Sequence, residues 1–170
     1  MHLWSCFPTM PVPNLYTCTD CDFRGTSISG WGRFEYQASN SIRYNIPRNS
    51  GICYKCNRVC PVEILPDQAH WRQLAEKARS SEMKDNSFFY THYIEMKVLQ
   101  KLMRFRTSPP RCLFCGGHDF DAIPSELPGL IHRGCGGVIQ VDSKNGPHLF
   151  YGDGERLPWR VYSMDGLELG

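Results

Sequence analysis

A chain of 170 residues with 41% hydrophobic and 21% charged side chains has the composition of a folded protein, enough for one domain or for two or three very small ones. Its formal charge of +2 lacks the strongly basic field typical of nucleic-acid binders, and its longest apolar stretch, residues 93–105, is broken by Glu95, Lys97, Lys101 and Arg104 and cannot span a bilayer. Nine cysteines, an odd number, with no signal peptide at the start, argue against a closed disulfide framework and for metal in a reducing, cytoplasmic compartment.

Residues 1–14 read as an N-terminal extension, with Met10 as a second candidate start and Cys6 too near the end to interpret. Residues 15–66 form a first β unit. It opens on Cys18-Thr19-Asp20-Cys21 and closes on Cys53-Tyr54-Lys55-Cys56, with aromatic and β-branched runs predicted as strands at 31–36, 42–44 and 62–65.

Residues 67–107 predict a helical hairpin. Asp67 caps a first helix carrying Trp71, Leu74, Ala75 and Ala78 on one face. A second helix spans about 87–105, with Tyr90, Ile94, Val98, Leu102 and Phe105 as its buried stripe, widened by Met96, Leu99 and Met103. Ser108-Pro109-Pro110 ends it, because proline has no N–H to continue the ladder. Residues 108–170 return to paired ligands, Cys112-Leu113-Phe114-Cys115 and His132-Arg133-Gly134-Cys135, with strands predicted at 138–141 and 160–162.

Two residues between cysteines let one tight turn aim both sulfurs at a single ion, and two such turns complete a tetrahedron. Pairing each turn with its neighbour in sequence gives one site from Cys18, Cys21, Cys53 and Cys56 and another from Cys112, Cys115, His132 and Cys135. Thirty-one residues separate the turns of the first set and sixteen those of the second. Gly116 and Gly136 follow the second-set turns and suit their backbone. His118 is the rival to His132, but it would crowd three ligands onto one turn. Cys60 reads as a small buried hydrophobe.

At these residues the chain resembles the zinc-ribbon superfamily, through Cys-x-x-Cys…Cys-x-x-Cys at one end and Cys-x-x-Cys…His-x-x-Cys at the other. The resemblance covers the two end segments and not the helical middle, and implies a small zinc-ribbon β unit with a structural Zn2+ at each end. With the hairpin read from periodicity, the expected fold is α+β, the two units joined by the helical hairpin. Units of about 50–60 residues need such a staple, since a core that small stabilises poorly alone.

No metalloprotease, nucleophile-elbow, phosphate-loop, dinucleotide or deaminase motif is present, and closed four-ligand sites leave no coordination position for a substrate. The reading is therefore a non-enzyme without a small-molecule substrate or a membrane. Two kinds of partner fit. Residues 69–106 hold eight basic and four acidic side chains, while 107–170 hold five and eight, so the middle is the basic part. Lys97, Lys101 and Arg104 on its second helix predict docking to an acidic protein, as an adaptor or a neutralising, immunity-like partner. The alternative is single-stranded nucleic acid on the first unit, where Trp31, Arg33, Tyr44 and Arg48 interleave aromatic and basic side chains.

Overall fold

The computed structural model describes residues 14–27, 32–65, 67, 69, 72–73, 76, 87–123, 129–142 and 159–169, with the side chains of 87–93 and 96 left aside. Nine strands and one complete helix run through them: β1 (Asn14–Cys18), β2 (Arg24–Ser27), β3 (Arg33–Gln37), β4 (Arg43–Asn45), β5 (Arg48–Cys53), β6 (Arg58–Glu63), α1 (Ser87–Met103), β7 (Phe120–Ala122), β8 (Ile139–Asp142) and β9 (Trp159–Ser163).

The α+β plan of two zinc-ribbon units joined by a helical hairpin is not what the chain builds. The regular structure of the described residues is mostly strand, in three small sheets ordered β2-β1-β8, β4-β3-β9 and β6-β5-β7. Each sheet takes two neighbouring strands from the N-terminal part and one strand from the C-terminal part. β8 runs antiparallel to β1, β7 antiparallel to β5, and β9 parallel to β3. The reason is edge pairing. A two-stranded hairpin is marginal in water, and a third strand satisfies one open edge. Of the expected hairpin, Trp71, Leu74, Ala75 and Ala78 lie outside the described residues, and α1 is the one complete helix among those described.

Alternation along the strands sorts side chains into three clusters. Phe34, Tyr36 and Tyr162 point from β3 and β9 onto Leu99 of α1, with Ile46 and Leu113. Tyr16, Phe23, Ile52, Val59, Ile123 and Ile139 fill the space between the first and third sheets. Those sheets approach closely at Gly25, where a Cβ would sit 2.4 Å from a methyl of Val59. Cys53, Cys60, Val62 and Cys112 make the third cluster.

The inner face of α1 differs from the predicted stripe. Leu99 is fully buried and Met103 packs beside it, whereas Val98 and Leu102 are half-buried and Ile94 and Phe105 are exposed. Positions spaced by four advance about 40° around a helix at each step, so a stripe of four such residues wraps away from any flat core. The pair that meets the sheet belongs to the fringe of the expected stripe.

Candidate metal centres

Both centres follow one plan. The β1–β2 hairpin carries Cys18 and Cys21 at its turn, and the β5–β6 hairpin carries Cys53 and Cys56. A second turn from the C-terminal part lies beside each. The strand after that turn pairs with the hairpin's first strand: β8 places Ile139 opposite Cys18, and β7 places Phe120 opposite Cys53. Pairing thus dictates which ligands meet. Cys18, Cys21, His132 and Cys135 form an outer cluster, and Cys53, Cys56, Cys112 and Cys115 an inner one, each with its ligand atoms within 4.8 Å of one another.

All eight ligand candidates fall into two sets of four, but the partners differ from those read from neighbouring turns. Cys18/Cys21 join His132/Cys135, and Cys53/Cys56 join Cys112/Cys115. The outer pairs enclose the inner pairs along the chain. In the outer cluster Cys18 Sγ lies 3.3 Å from Cys135 Sγ, and His132 Nδ1 lies 3.4 Å from the sulfurs of Cys21 and Cys135. In the inner cluster Cys53 and Cys115 sulfurs are 3.6 Å apart, and those of Cys56 and Cys112 3.8 Å. These separations are far longer than a disulfide bond. Four soft donors converging on one point suit a metal ion.

The two C-terminal turns are built alike. Cys112 N–H donates to Gly117 O at 2.7 Å, and His132 N–H donates to Gly137 O at 2.7 Å. Gly117 and Gly137 N–H groups each lie 3.4 Å from a ligand sulfur, of Cys115 and Cys135. Gly116 and Gly136 adopt φ of 69° and 83°, and Asn57, in the same place after Cys56, adopts 52°. This left-handed step favours Gly or Asn. His132 thus occupies the position Cys112 holds in the other turn. His118 lies outside both clusters, exposed, with Nδ1 2.9 Å from Pro110 O.

Electrostatics within the clusters call for a cation, because three or four thiolates cannot share one point without one. Burial raises the Cys115 thiol, but hydrogen bonds from Cys56 and the Gly117 N–H outweigh it and bring Cys115 down to about 7. A hydrogen bond with Cys60 and burial push Cys112 up, and burial pushes Cys53 and Cys56 up. Cys18 is held low, first by the Asp20 N–H, while Cys135, drawn down by the Gly137 N–H, is carried up to about 11 by Cys18. A divalent metal removes this competition for protons. The clusters also differ in access: Cys21 and Cys135 are exposed, whereas Cys53 and Cys112 are buried.

Tyr54 joins the two centres. It sits between inner ligands Cys53 and Cys56, yet its ring stacks on outer ligand His132, centroids 5.9 Å apart at 18°. Phe23 covers His132 from 4.8 Å. Tyr54 Oη donates to Asp121 at 2.6 Å and accepts the Arg133 N–H at 3.3 Å. The Arg133 guanidinium lies over the Tyr54 ring at 4.2 Å and pairs with Asp119 and Asp121, both at 2.9 Å. Burial and the Asp121 contact raise the Tyr54 hydroxyl, which keeps its proton for that bond. The sequence shows Tyr54 only as a residue of the Cys53–Cys56 turn; its place between two ligand candidates was the signal. Tyr54→Ala is expected to weaken metal at the outer cluster about tenfold and leave the inner one unchanged, as loss of a ligand-orienting contact does. Titration with Co2+ separates the outer site, with three sulfurs and one nitrogen, from the all-sulfur inner site by its bands, and His118→Ala serves as the silent control. Equal weakening at both clusters would refute the bridge.

The remaining predicted residues scatter. Lys97, Lys101 and Arg104 are all exposed at α1 and just past its end. Arg33 is exposed, but Tyr44 packs onto the first core cluster. Arg48 is half-buried over Phe34, and burial lowers its pKa. Trp31 and Cys6 lie outside the described residues. Cys60 is buried with Sγ 3.2 Å from Cys112 Sγ. No helix among the described residues is long and apolar enough to cross a membrane. Comparison with known protein families, with curated proteins and with solved structures finds no match.

Proposed function

We propose that this chain is a non-enzymatic zinc protein whose two zinc ions are structural and whose helix α1 docks onto an acidic protein, as an adaptor or neutralising partner. Zinc is the metal that four thiolates, or three thiolates and an imidazole, at tetrahedral spacing suit best, and four protein ligands leave no coordination position for substrate or water. Each centre, a hairpin turn facing a second turn, is ribbon-like in plan.

The observation that carries the docking reading is the outer side of α1. Phe105 is 80% exposed and Ile94 43% exposed, beside exposed Lys97, Lys101 and Arg104. Leu99 faces the core, so Ile94, Lys97 and Lys101, five and two positions away on the helix, turn outward together. An exposed aromatic just past a helix that carries exposed cations combines the apolar and charged parts of a protein-binding hot spot. A complementary surface is acidic.

Charge complementarity acts mainly on association rate and specificity. Reversing the three cations (Lys97→Glu, Lys101→Glu, Arg104→Glu) is expected to leave zinc content and melting nearly unchanged and to slow partner capture about tenfold at low salt. A nuclease-treated pull-down from the native host, wild type against reversal, supplies the readout. The same proteins captured at the same rate by both would reject α1 as the docking face.

A further inference from the structure

The sheet β4-β3-β9 has a second surface, on the side opposite the one that receives α1. Phe34 and Tyr36 point to the helix, so Arg33, Glu35 and Gln37 point away. The parallel register sets Trp159 beside Arg33, and the antiparallel register sets Arg43 beside Gln37. Glu35, buried, anchors the group. It accepts the Trp159 indole N–H at 3.1 Å and Arg33 at 2.8 Å, with Arg43 further off at 3.9 Å. Both guanidiniums approach the indole, Arg33 to 5.3 Å and Arg43 to 5.2 Å from its centroid.

An internal brace would bury this indole. Instead Trp159 is 57% exposed and the Arg33 side chain 64% exposed. One carboxylate faces two cations, leaving a local excess of positive charge against an indole that stays half exposed.

We propose that Trp159, Arg33 and Arg43 form a binding surface for single-stranded nucleic acid, a base displacing one guanidinium from the indole to stack there while the two arginines meet the flanking phosphates. Every base offers a π-face, and the backbone offers one anion per nucleotide, so an indole grouped with two guanidiniums suits that alternation without reading sequence. The surface differs from the one expected from sequence, because only Arg33 is common to both. It is also independent of the docking face on α1, which lies across the sheet.

The test uses the metal-loaded full chain and fluorescent oligo-U and oligo-dT of about 16 nucleotides, read by anisotropy at low salt, with heparin as a polyanion without bases. Trp159→Ala is expected to weaken oligonucleotide binding about fivefold or more while leaving heparin binding unchanged, and Trp159→Phe to restore most of the loss. The double variant Arg33→Gln/Arg43→Gln is expected to flatten the dependence of log affinity on log salt by about 1.4, the loss of two phosphate contacts. If Trp159→Ala does not fold by metal content and melting, the phenylalanine and double-arginine variants decide. No oligonucleotide binding by the wild type, equal binding by Trp159→Ala, an unchanged salt slope, or heparin affinity falling in step with oligonucleotide affinity would each overturn the proposal. The last result would point to an acidic protein surface instead.

Discussion

Stripping both metals is expected to abolish cooperative melting, and the outer centre is expected to empty first. A structural zinc contributes on the order of 10 kcal/mol of apparent binding energy, while a domain of this size is stable by only about 5–15 kcal/mol in total. Two such ions therefore exceed the margin by which the folded state survives. The topology makes the loss global, because each cluster brings an N-terminal hairpin to a C-terminal turn: 110 residues separate Cys21 from His132, and 55 separate Cys56 from Cys112. Opening the outer cluster frees the β1–β8 pairing, while the inner cluster still holds β5 to β7. The exposure of Cys21 and Cys135 gives a chelator its entry there, whereas Cys53 and Cys112 are buried. Competition with a strong chelator, followed by native mass spectrometry, should pass through a one-metal species. In that species amide exchange should rise at residues 15–17 before residues 51–53. Simultaneous loss of both ions would show that the centres form one unit. A metal-free protein that melts as before would end the structural-zinc reading.

The ligands were legible in the sequence because Cys-x-x-Cys is a local signal; two residues of spacing fix one turn with no help from the rest of the chain. Which turns share an ion was not legible, since that depends on strand pairing over long separations. The sixteen residues between Cys115 and His132 have the length of a hairpin, but β7 turns back to β5 within them. Open edges on β1 and β5 competed for the C-terminal strands, and nothing local to residues 112–135 records that competition. The helix shows the same division. Its existence followed from apolar spacing and the closing prolines, yet the choice of Leu99 over Ile94 as the inward residue was made by the shape of the aromatic floor, Phe34, Tyr36 and Tyr162. Trp159 illustrates the converse: the strand at 160–162 was readable, but only the register against Arg33 reveals what the residue before it faces.

Arg106→Ala is expected to destabilise the protein by about 3–5 kcal/mol, the cost of leaving a buried charge without its partner. Arg106 and Glu63 side chains are 2% and 1% exposed, with Nη1 2.5 Å from Oε1 and Nη2 2.7 Å from Oε2. Every guanidinium nitrogen is used. Nη1 also donates to Tyr36 Oη at 2.8 Å, Nη2 to Pro109 O at 3.2 Å, and Nε to Ser108 Oγ at 2.9 Å. Tyr36 Oη donates in turn to Glu63, and Ser108 Oγ donates to the Asp165 carbonyl. One side chain just past α1 therefore locks β6, β3 and the turn after β9 together. Arg111 cannot replace it, since its Nε stands 3.8 Å from Glu63 and makes no hydrogen bond. Lysine cannot either, having three donors on one nitrogen in place of a planar fork. Arg106→Lys should thus recover little, and Glu63→Gln should cost a similar amount by stranding the cation. In a chain of this size the loss lowers the melting temperature by about 10 °C or more. Metal stoichiometry should stay at two, because none of these atoms belongs to either cluster. Calorimetry of the metal-loaded variants measures the shift. A change below about 1 kcal/mol for Arg106→Ala would mean that water reaches Glu63 when the guanidinium is removed, and that the three elements are held together by the aromatic cluster alone.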